Sequence, residues 1–449
     1  MNNLIKRNFK PHFLCLIIAF LIFNISTAKA QNGKLLAGTA KINLTPKTDE
    51  LLHDSVYARS LVLDVAGKRI AFVAVDLGIF FSDEVVKVCK QKYKLDQVII
   101  SSSHTHSEPH PDGKWAFQNN IHVPFYEEQI IKVVGMATKN MFEARIAAGY
   151  ITFPQLGFNR LIIRENGHAK QSWDGDAHYK AENPDRIPFG PVDPELGVLK
   201  ITDKQGNTRA VIMNYAMHSD IVCFNYAISA DYPGVATRRV EEAMGKNVNC
   251  LFIQGAGGNI ESLQISRRRS GPSDPIPTDY NVMERVGELL AWEAIKLTKS
   301  LQPTTEAETD IKLIADSITL TGRYNKSLKY NVHLSTIIIN KSIGIAVWPG
   351  EPFVQFQLDW KQKMQLAKAK GFLFGYSWSG GKWPGYIADV RSAALGGYGA
   401  DEGGDLIQVG AGEAITAKQL ENYYKLIGLM RSHLNFTQVI VICIQINKE

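Results

Sequence analysis

Short apolar, β-branched runs recur along this chain, and several of them end in a residue able to do chemistry. Val98-Ile99-Ile100 leads into Ser103-His104-Thr105-His106-Ser107. Phe72-Val73-Ala74-Val75 is followed by Asp76, and Val211-Ile212-Met213 by His218. Leu251-Phe252-Ile253 is followed by the glycines between Gly255 and Gly258, and the run from Ile343 to Val347 by Glu351. Runs of this length and composition read as buried strands. A strand is a rigid base and the loop after it can aim a side chain, so polar residues gathered at strand ends predict a site built along one edge of a sheet.

The same pattern sets the fold class. Strands are expected over 59–65, 69–76, 97–101, 198–201, 210–215, 250–254, 311–320 and 342–348. Apolar residues at helical spacing predict helices over 125–144, 234–244, 280–301 and 414–430. Strands interspersed with helices, without repeats or a low-complexity linker, predict a mixed α/β (α+β) domain: layered mixed β-sheets flanked by helices, with a metal site at the strand ends.

The N-terminus is expected to be an export signal. Lys6, Arg7 and Lys10 form a basic start, 13–25 is apolar, and Ala28-Lys29-Ala30 supplies small residues where a signal peptidase reads. The apolar stretch is shorter than the ~20 residues of a membrane span. The expected organisation is a signal peptide over 1–30, one metallohydrolase domain over 31–435, and an apolar tail over 436–449 without an assigned role. The mature chain would be periplasmic or secreted. Loss of the signal lowers the formal charge from +6 to +2, which gives no basis for nucleic-acid binding. Arg267-Arg268-Arg269 is a local exception, readable as a solvated loop or as a contact with anionic membrane lipid. Cys89, Cys223, Cys250 and Cys443 are widely spaced and define no disulfide framework.

His104-x-His106 after a strand is a common way to begin a zinc site, and a catalytic zinc takes about three protein ligands and leaves a position for water. His218 is the best second ligand and Glu351, after the Pro349-Gly350 turn, the best carboxylate. Each residue also has an ordinary structural reading: a surface turn for the His-x-His, a hydrogen-bonded core histidine for His218, a helix cap for Glu351.

The chain resembles the neutral, non-lysosomal ceramidases, zinc amidases that cleave ceramide to sphingosine and fatty acid. The resemblance is carried, in order, by Ala37-Gly38-Thr39-Ala40-Lys41-Ile42, Asp76-Leu77-Gly78, His104-Thr105-His106-Ser107, Asn159-Arg160, Asp193-Pro194-Glu195, His218-Ser219, Ser229-Ala230-Asp231 and Pro349-Gly350-Glu351. It implies that His104, His218, Glu351 and Tyr386 hold the zinc, with Tyr398 a second functional tyrosine twelve residues after Tyr386. On this reading Tyr398 steadies the oxyanion, together with Arg160 or the backbone amide of Gly38. His106 shuttles a proton or contacts substrate, and Asp76 orients a zinc ligand. Two features depart from the family. Glu261, in Gly258-Asn259-Ile260-Glu261-Ser262, stands where the ceramidases carry a serine, and is expected to face the substrate. Known members also continue into an immunoglobulin-like domain near where this sequence stops. The expectation is an exported zinc-dependent amidohydrolase acting on ceramide or a related small-molecule or lipid substrate, with no nucleic-acid partner. The alternatives are a zinc hydrolase of another amide or ester, and a non-catalytic lipid- or glycan-binding protein. The oligomeric state is left open.

Overall fold

The computed structural model describes residues 33–430 apart from 112, 153–155, 164–165, 172–189, 224–226, 264–278, 304–308 and 405. The expected signal, Arg267–Arg269, Cys443 and the apolar tail lie outside the described residues. None of the described helices is long and apolar enough to cross a membrane.

Eight strands of the larger sheet come first: β1 (Leu35–Asn43), β2 (Tyr57–Val65), β3 (Lys68–Val75), β4 (Gln97–Ser102), β5 (Phe142–Thr152), β6 (Glu195–Asp203), β7 (Thr208–Tyr215) and β8 (Asn249–Gln254). A smaller sheet follows with β9 (Ile311–Thr321), β10 (Lys329–Ile339), β11 (Ile343–Val347) and β12 (Lys370–Phe374), and β13 (Ser377–Trp378) returns to the larger one. The nine-stranded order is β8-β7-β6-β5-β1-β2-β3-β4-β13, and the four-stranded order is β9-β10-β11-β12. Most neighbours are antiparallel. Ala66 and Gly67, both at positive φ, make the tight two-residue β2–β3 turn, as the twist of such a hairpin requires. Within these two sheets three pairs are parallel: β3 with β4, β7 with β8, and β11 with β12. Each needs a crossover, supplied by helices α1 (Asp83–Tyr93), α3 (Asp231–Met244) and α5 (Val354–Leu366). Helices α2 (Val123–Lys139), α4 (Tyr280–Ser300) and α6 (Ala411–Leu426) complete the helical layers.

Side-chain alternation sorts the core. Phe72 and Ala74 point inward with Ile212 and Ile253 and meet Ile337, Ile345 and Phe374 of the smaller sheet. Val73 and Val75 point outward against Val85, Ile130 and Val134 of α1 and α2. Val211, Met213 and Phe252 meet Val235, Val286 and Leu290 of α3 and α4. The smaller sheet turns Leu334 and Leu373 to Trp360, Met364 and Ile415 of α5 and α6. The larger sheet curls so far that edge strand β8 packs across β2, β3 and β4. The architecture is therefore helices, two layered mixed sheets, helices, as expected. One helix boundary is corrected: the segment 125–144 leaves the helix at Lys139, and Phe142 already begins β5, whose buried and exposed residues interleave as a strand's do. Strands β1, β5, β10, β12 and β13 and helices α1 and α5 were not anticipated.

Candidate metal centre

The residues singled out at strand ends lie at the carboxyl ends of the parallel strands, where open α/β sheets form their crevices. His104 follows β4 at φ 67°, a left-handed conformation rare for so large a side chain. It is held there from both sides: its N–H donates to Leu77 O at 3.0 Å, and its Nδ1 lies 3.0 Å from Gly78 O. A carbonyl only accepts, so Nδ1 carries the proton and Nε2 keeps its lone pair for the interior. His218, after β7, repeats the device, with Nδ1 2.8 Å from Gly257 O and Nε2 turned inward. The two histidine loops are stitched together by a bridge between Thr105 and Ser219, by His106 N–H to Ser219 O at 3.1 Å and by Ser219 Oγ to Ser103 O at 2.7 Å.

Glu351 arrives from the smaller sheet. Gly350 takes φ 79° with Gly385 O so close that a Cβ would lie 2.5 Å away, which leaves room only for glycine. Glu351 then pairs in parallel with Tyr386, which sets carboxylate and phenol side by side.

The atoms converge. Nε2 of His104 lies 3.2 Å from Nε2 of His106 and 3.4 Å from Oε2 of Glu351, and Nε2 of His218 lies 3.6 Å from the same oxygen. Two ligands each 2.0–2.1 Å from a tetrahedral ion stand about 3.3–3.4 Å apart, so these are the edges expected around zinc. Glu351 Oε2 is buried without a hydrogen-bond partner among the described residues, and such an oxygen is costly unless a cation or donor meets it. The residues present thus fit a zinc ion. Burial opposes charge on Glu351, but His104, His218 and Arg160 outweigh it and draw the carboxyl down to about 2. Burial also lowers His104 to about 4, which keeps its imidazole in the neutral, metal-binding form.

Arg160 organises the oxygen donors. It is buried and donates from Nη2 to Gly258 O at 2.9 Å and to Tyr386 Oη at 3.1 Å, and from Nη1 to Glu261 Oε2 at 3.3 Å. Its guanidinium also covers the Tyr398 ring at 5.2 Å, and Tyr398 meets Tyr386 edge to face. Above these groups opens a cavity of about 450 Å³. His104, His106, Glu351, Tyr386 and Tyr398 line its base, and Trp115, Phe117, Tyr330 and Trp383 its walls.

Three expectations are corrected. Gly38 lies in mid-β1 opposite Val62, where a Cβ would stand 2.0 Å from Ala137 O; it admits helix α2 and offers no oxyanion contact. Asp76 orients no ligand, because buried Arg59 claims it: Oδ2 accepts from Arg59 Nη1 at 2.8 Å and from Tyr57 N–H at 2.9 Å. Glu261 is buried behind Arg160 and is absent from the cavity wall, so its charge meets the guanidinium and not a substrate.

Sequence reasoning missed Glu108 and Tyr376. Glu108 is wholly buried, with burial raising its carboxyl to about 8, and accepts N–H bonds from Gly78 at 2.6 Å and Ala116 at 2.5 Å. It anchors the segment whose carbonyl aims His104, the task expected of Asp76; its place two residues after His106 was the available signal. Tyr376, at φ 51° after β12, lays its ring 4.6 Å from that of His104. No motif marks it.

Comparison with known proteins places this geometry. The sequence profile described as neutral/alkaline non-lysosomal ceramidase, N-terminal, matches residues 34–261, half of the chain. That range holds His104, His106, Arg160, His218 and Glu261, whereas Glu351, Tyr386 and Tyr398 follow it. The neutral ceramidase of Pseudomonas aeruginosa is 25% identical over 292 residues, covering 58% of this chain and 42% of the relative. Neutral ceramidase A of Dictyostelium discoideum is 23% identical over 356 residues, covering 74% of this chain and 46% of the relative. The chain thus spans less than half the length of these curated relatives. The crystal structure of the Pseudomonas aeruginosa enzyme shares the fold at a TM-score of 0.67 and 15% identity, over 89% of this chain and 75% of that one. On the profile match, the chain belongs to the neutral/alkaline non-lysosomal ceramidase family.

Proposed function

We propose that this chain is a zinc-dependent hydrolase that cleaves the N-acyl amide of ceramide or a related N-acyl lipid. One observation carries the reading: the imidazoles of His104 and His218 converge on an unpartnered, buried carboxylate oxygen of Glu351 at the base of an aromatic-walled cavity. Zinc held by His104, His218, Glu351 and Tyr386 would polarise the acyl carbonyl and supply an activated water. The remaining roles belong to the chain. Arg160 holds the Tyr386 hydroxyl and balances Glu261. Tyr398 lines the cavity and donates to the carbonyl oxygen as negative charge develops there. His106, half-buried at the cavity base, moves a proton to the departing amine. Trp115, Phe117 and Trp383 shelter an acyl chain. The metallohydrolase domain is assigned to 31–435. We also assign residues 1–30 to export, which places the enzyme in the periplasm or outside the cell, where contact with membrane lipid would deliver substrate.

The test is to assay the purified chain on long-chain ceramide and on short N-acyl amines, before and after a chelator and after zinc is restored. Chelator-sensitive, zinc-restored release of fatty acid supports the proposal; amide cleavage indifferent to chelation overturns the metal role. A second reading, another amide or ester as the substrate, rests on the loss of the family's serine at position 261, since Glu261 itself faces Arg160 and not the cavity. Higher kcat/KM on the short amines than on ceramide selects it. Fractionation of cells producing the full chain tests export, which a cytoplasmic, uncleaved product would refute.

A further inference from the structure

The turn after His218 carries a second group of metal-binding side chains. Asp220 and Cys223 close this turn, with Cys223 N–H donating to Asp220 O at 3.0 Å. The turn is pinned from two sides: Val222 N–H donates to Asp231 at 3.1 Å, and Ser107 Oγ donates to Val222 O at 3.2 Å. Both Asp220 and Cys223 are buried. Cys223 Sγ lies 3.4 Å from His106 Nδ1, and the ligand atoms of His106, Asp220 and Cys223 all fall within 4.8 Å of one another. The other nitrogen of the same ring, Nε2, faces His104 Nε2 at 3.2 Å. A thiolate about 2.3 Å and an imidazole about 2.0–2.1 Å from one tetrahedral zinc stand about 3.5 Å apart, close to the observed edge. None of the motifs that carry the family resemblance includes Asp220 or Cys223.

We propose that His106, Asp220 and Cys223 form a second metal position, adjoining the first across the His106 ring. Nδ1 serves the second ion and Nε2 faces the first. The donor set, one thiolate, one imidazole and one carboxylate, suits a borderline-soft divalent ion such as zinc or cobalt and not magnesium or calcium. Loading releases the Cys223 thiol proton to solvent, so the buried carboxylate and thiolate are met by the incoming cation, while the His106 ring binds as neutral imidazole through Nδ1 and keeps its proton on Nε2. Occupancy locks the His106 ring. The second position does not depend on the proposed hydrolase activity; only its adjacency to the first rests on the reading of that site.

The experiment strips metal from the full chain, titrates it with cobalt(II), and follows both metal content and absorption. The unaltered protein is expected to bind two cobalt ions per chain and to show a thiolate-to-cobalt charge-transfer band in the near ultraviolet. Cys223→Ser should abolish the band and lower the stoichiometry from two to one, whereas Glu351→Gln should keep the band. Circular dichroism confirms that each variant is folded, and Asp220→Asn, expected to weaken cobalt binding in the band at least tenfold, serves if Cys223→Ser does not fold. One cobalt without a thiolate band, no cobalt at all, or two ions retained by folded Cys223→Ser overturns the proposal. A single ion that does show the band upholds the second position and overturns the first.

Discussion

The two sides of the proposed metal centre are built on different principles. On the larger-sheet side, His104 and His218 are aimed by backbone carbonyls at Gly78 and Gly257. Their direction is part of the sheet and resists any single side-chain change. On the smaller-sheet side, Glu351 and Tyr386 sit on a two-residue parallel bridge reached through tight glycine turns, and a single guanidinium, that of Arg160, ties Tyr386 to Glu261. The nitrogen donors are held by main-chain carbonyls, whereas the Tyr386 hydroxyl is held by one side chain. Substitutions on the two sides should therefore fail differently.

The largest effect is expected at the nitrogen donors themselves. His104→Ala or His218→Ala should remove bound zinc and lower kcat/KM by about a thousandfold or more, since carbonyl polarisation by a metal is worth several kcal/mol. Elemental analysis showing full zinc in both variants would break the assignment. Next comes Arg160→Met. It leaves Glu261 buried without its cation, a loss of about 3–5 kcal/mol in unfolding free energy. Denaturant titration reads this, and adding Glu261→Gln should recover much of it. If the double variant is no more stable than the single one, the oxygen side does not hang on this pair.

Tyr398→Phe should cost about 2.7–4 kcal/mol of transition-state stabilisation while leaving zinc content intact. Tyr386→Phe should instead weaken zinc binding. Equal zinc loss in the two would contradict the division of roles. A smaller effect is expected from Glu108→Gln, which loosens the Gly78 segment and should weaken zinc binding about 10–100-fold, as loss of a group supporting a ligand does. Asp76→Asn, by contrast, should lower stability through Arg59 and leave zinc affinity unchanged; a metal titration that ranks them in reverse would restore Asp76 to the role the sequence suggested.

A pH dependence of stability is expected as well. Asp231 lies buried at the start of α3, and burial raises its carboxyl from 3.8 to about 7 against the N–H bonds it accepts from Tyr232 and Val222. Between these values the unfolded chain has released a proton that the folded chain still holds. The unfolded state therefore binds fewer protons, and stability falls as pH rises through the window. Asp231→Asn should flatten that slope in denaturant midpoints between pH 4 and 7. An unchanged slope would remove Asp231 from the account.

The strand ends were legible because period and composition report burial locally. Val98–Ile100 and Val211–Met213 are buried strand cores, and His104 and His218 do follow them. Tyr386 enters the proposed ligand set only through family resemblance, since nothing in a phenol's sequence neighbourhood points to a metal. Gly38 and Asp76 misled for one reason: a glycine that admits a helix and an aspartate that pairs a buried arginine leave the same trace in a sequence as residues of a site.

The chain by itself therefore determined its mixed α/β class, most of its strands, and the two histidines and glutamate at strand ends, because these follow from short-range alternation and turn chemistry. Only the tertiary structure decided that they meet. β4 and β7 are separated by five strands in the sheet order, and their loops touch because the sheet curls until β8 packs across β2 to β4. The closing of the smaller sheet over that curl then brings Glu351 to the two imidazoles. Curl and layer packing are sums over the whole core, and no local window of residues contains them.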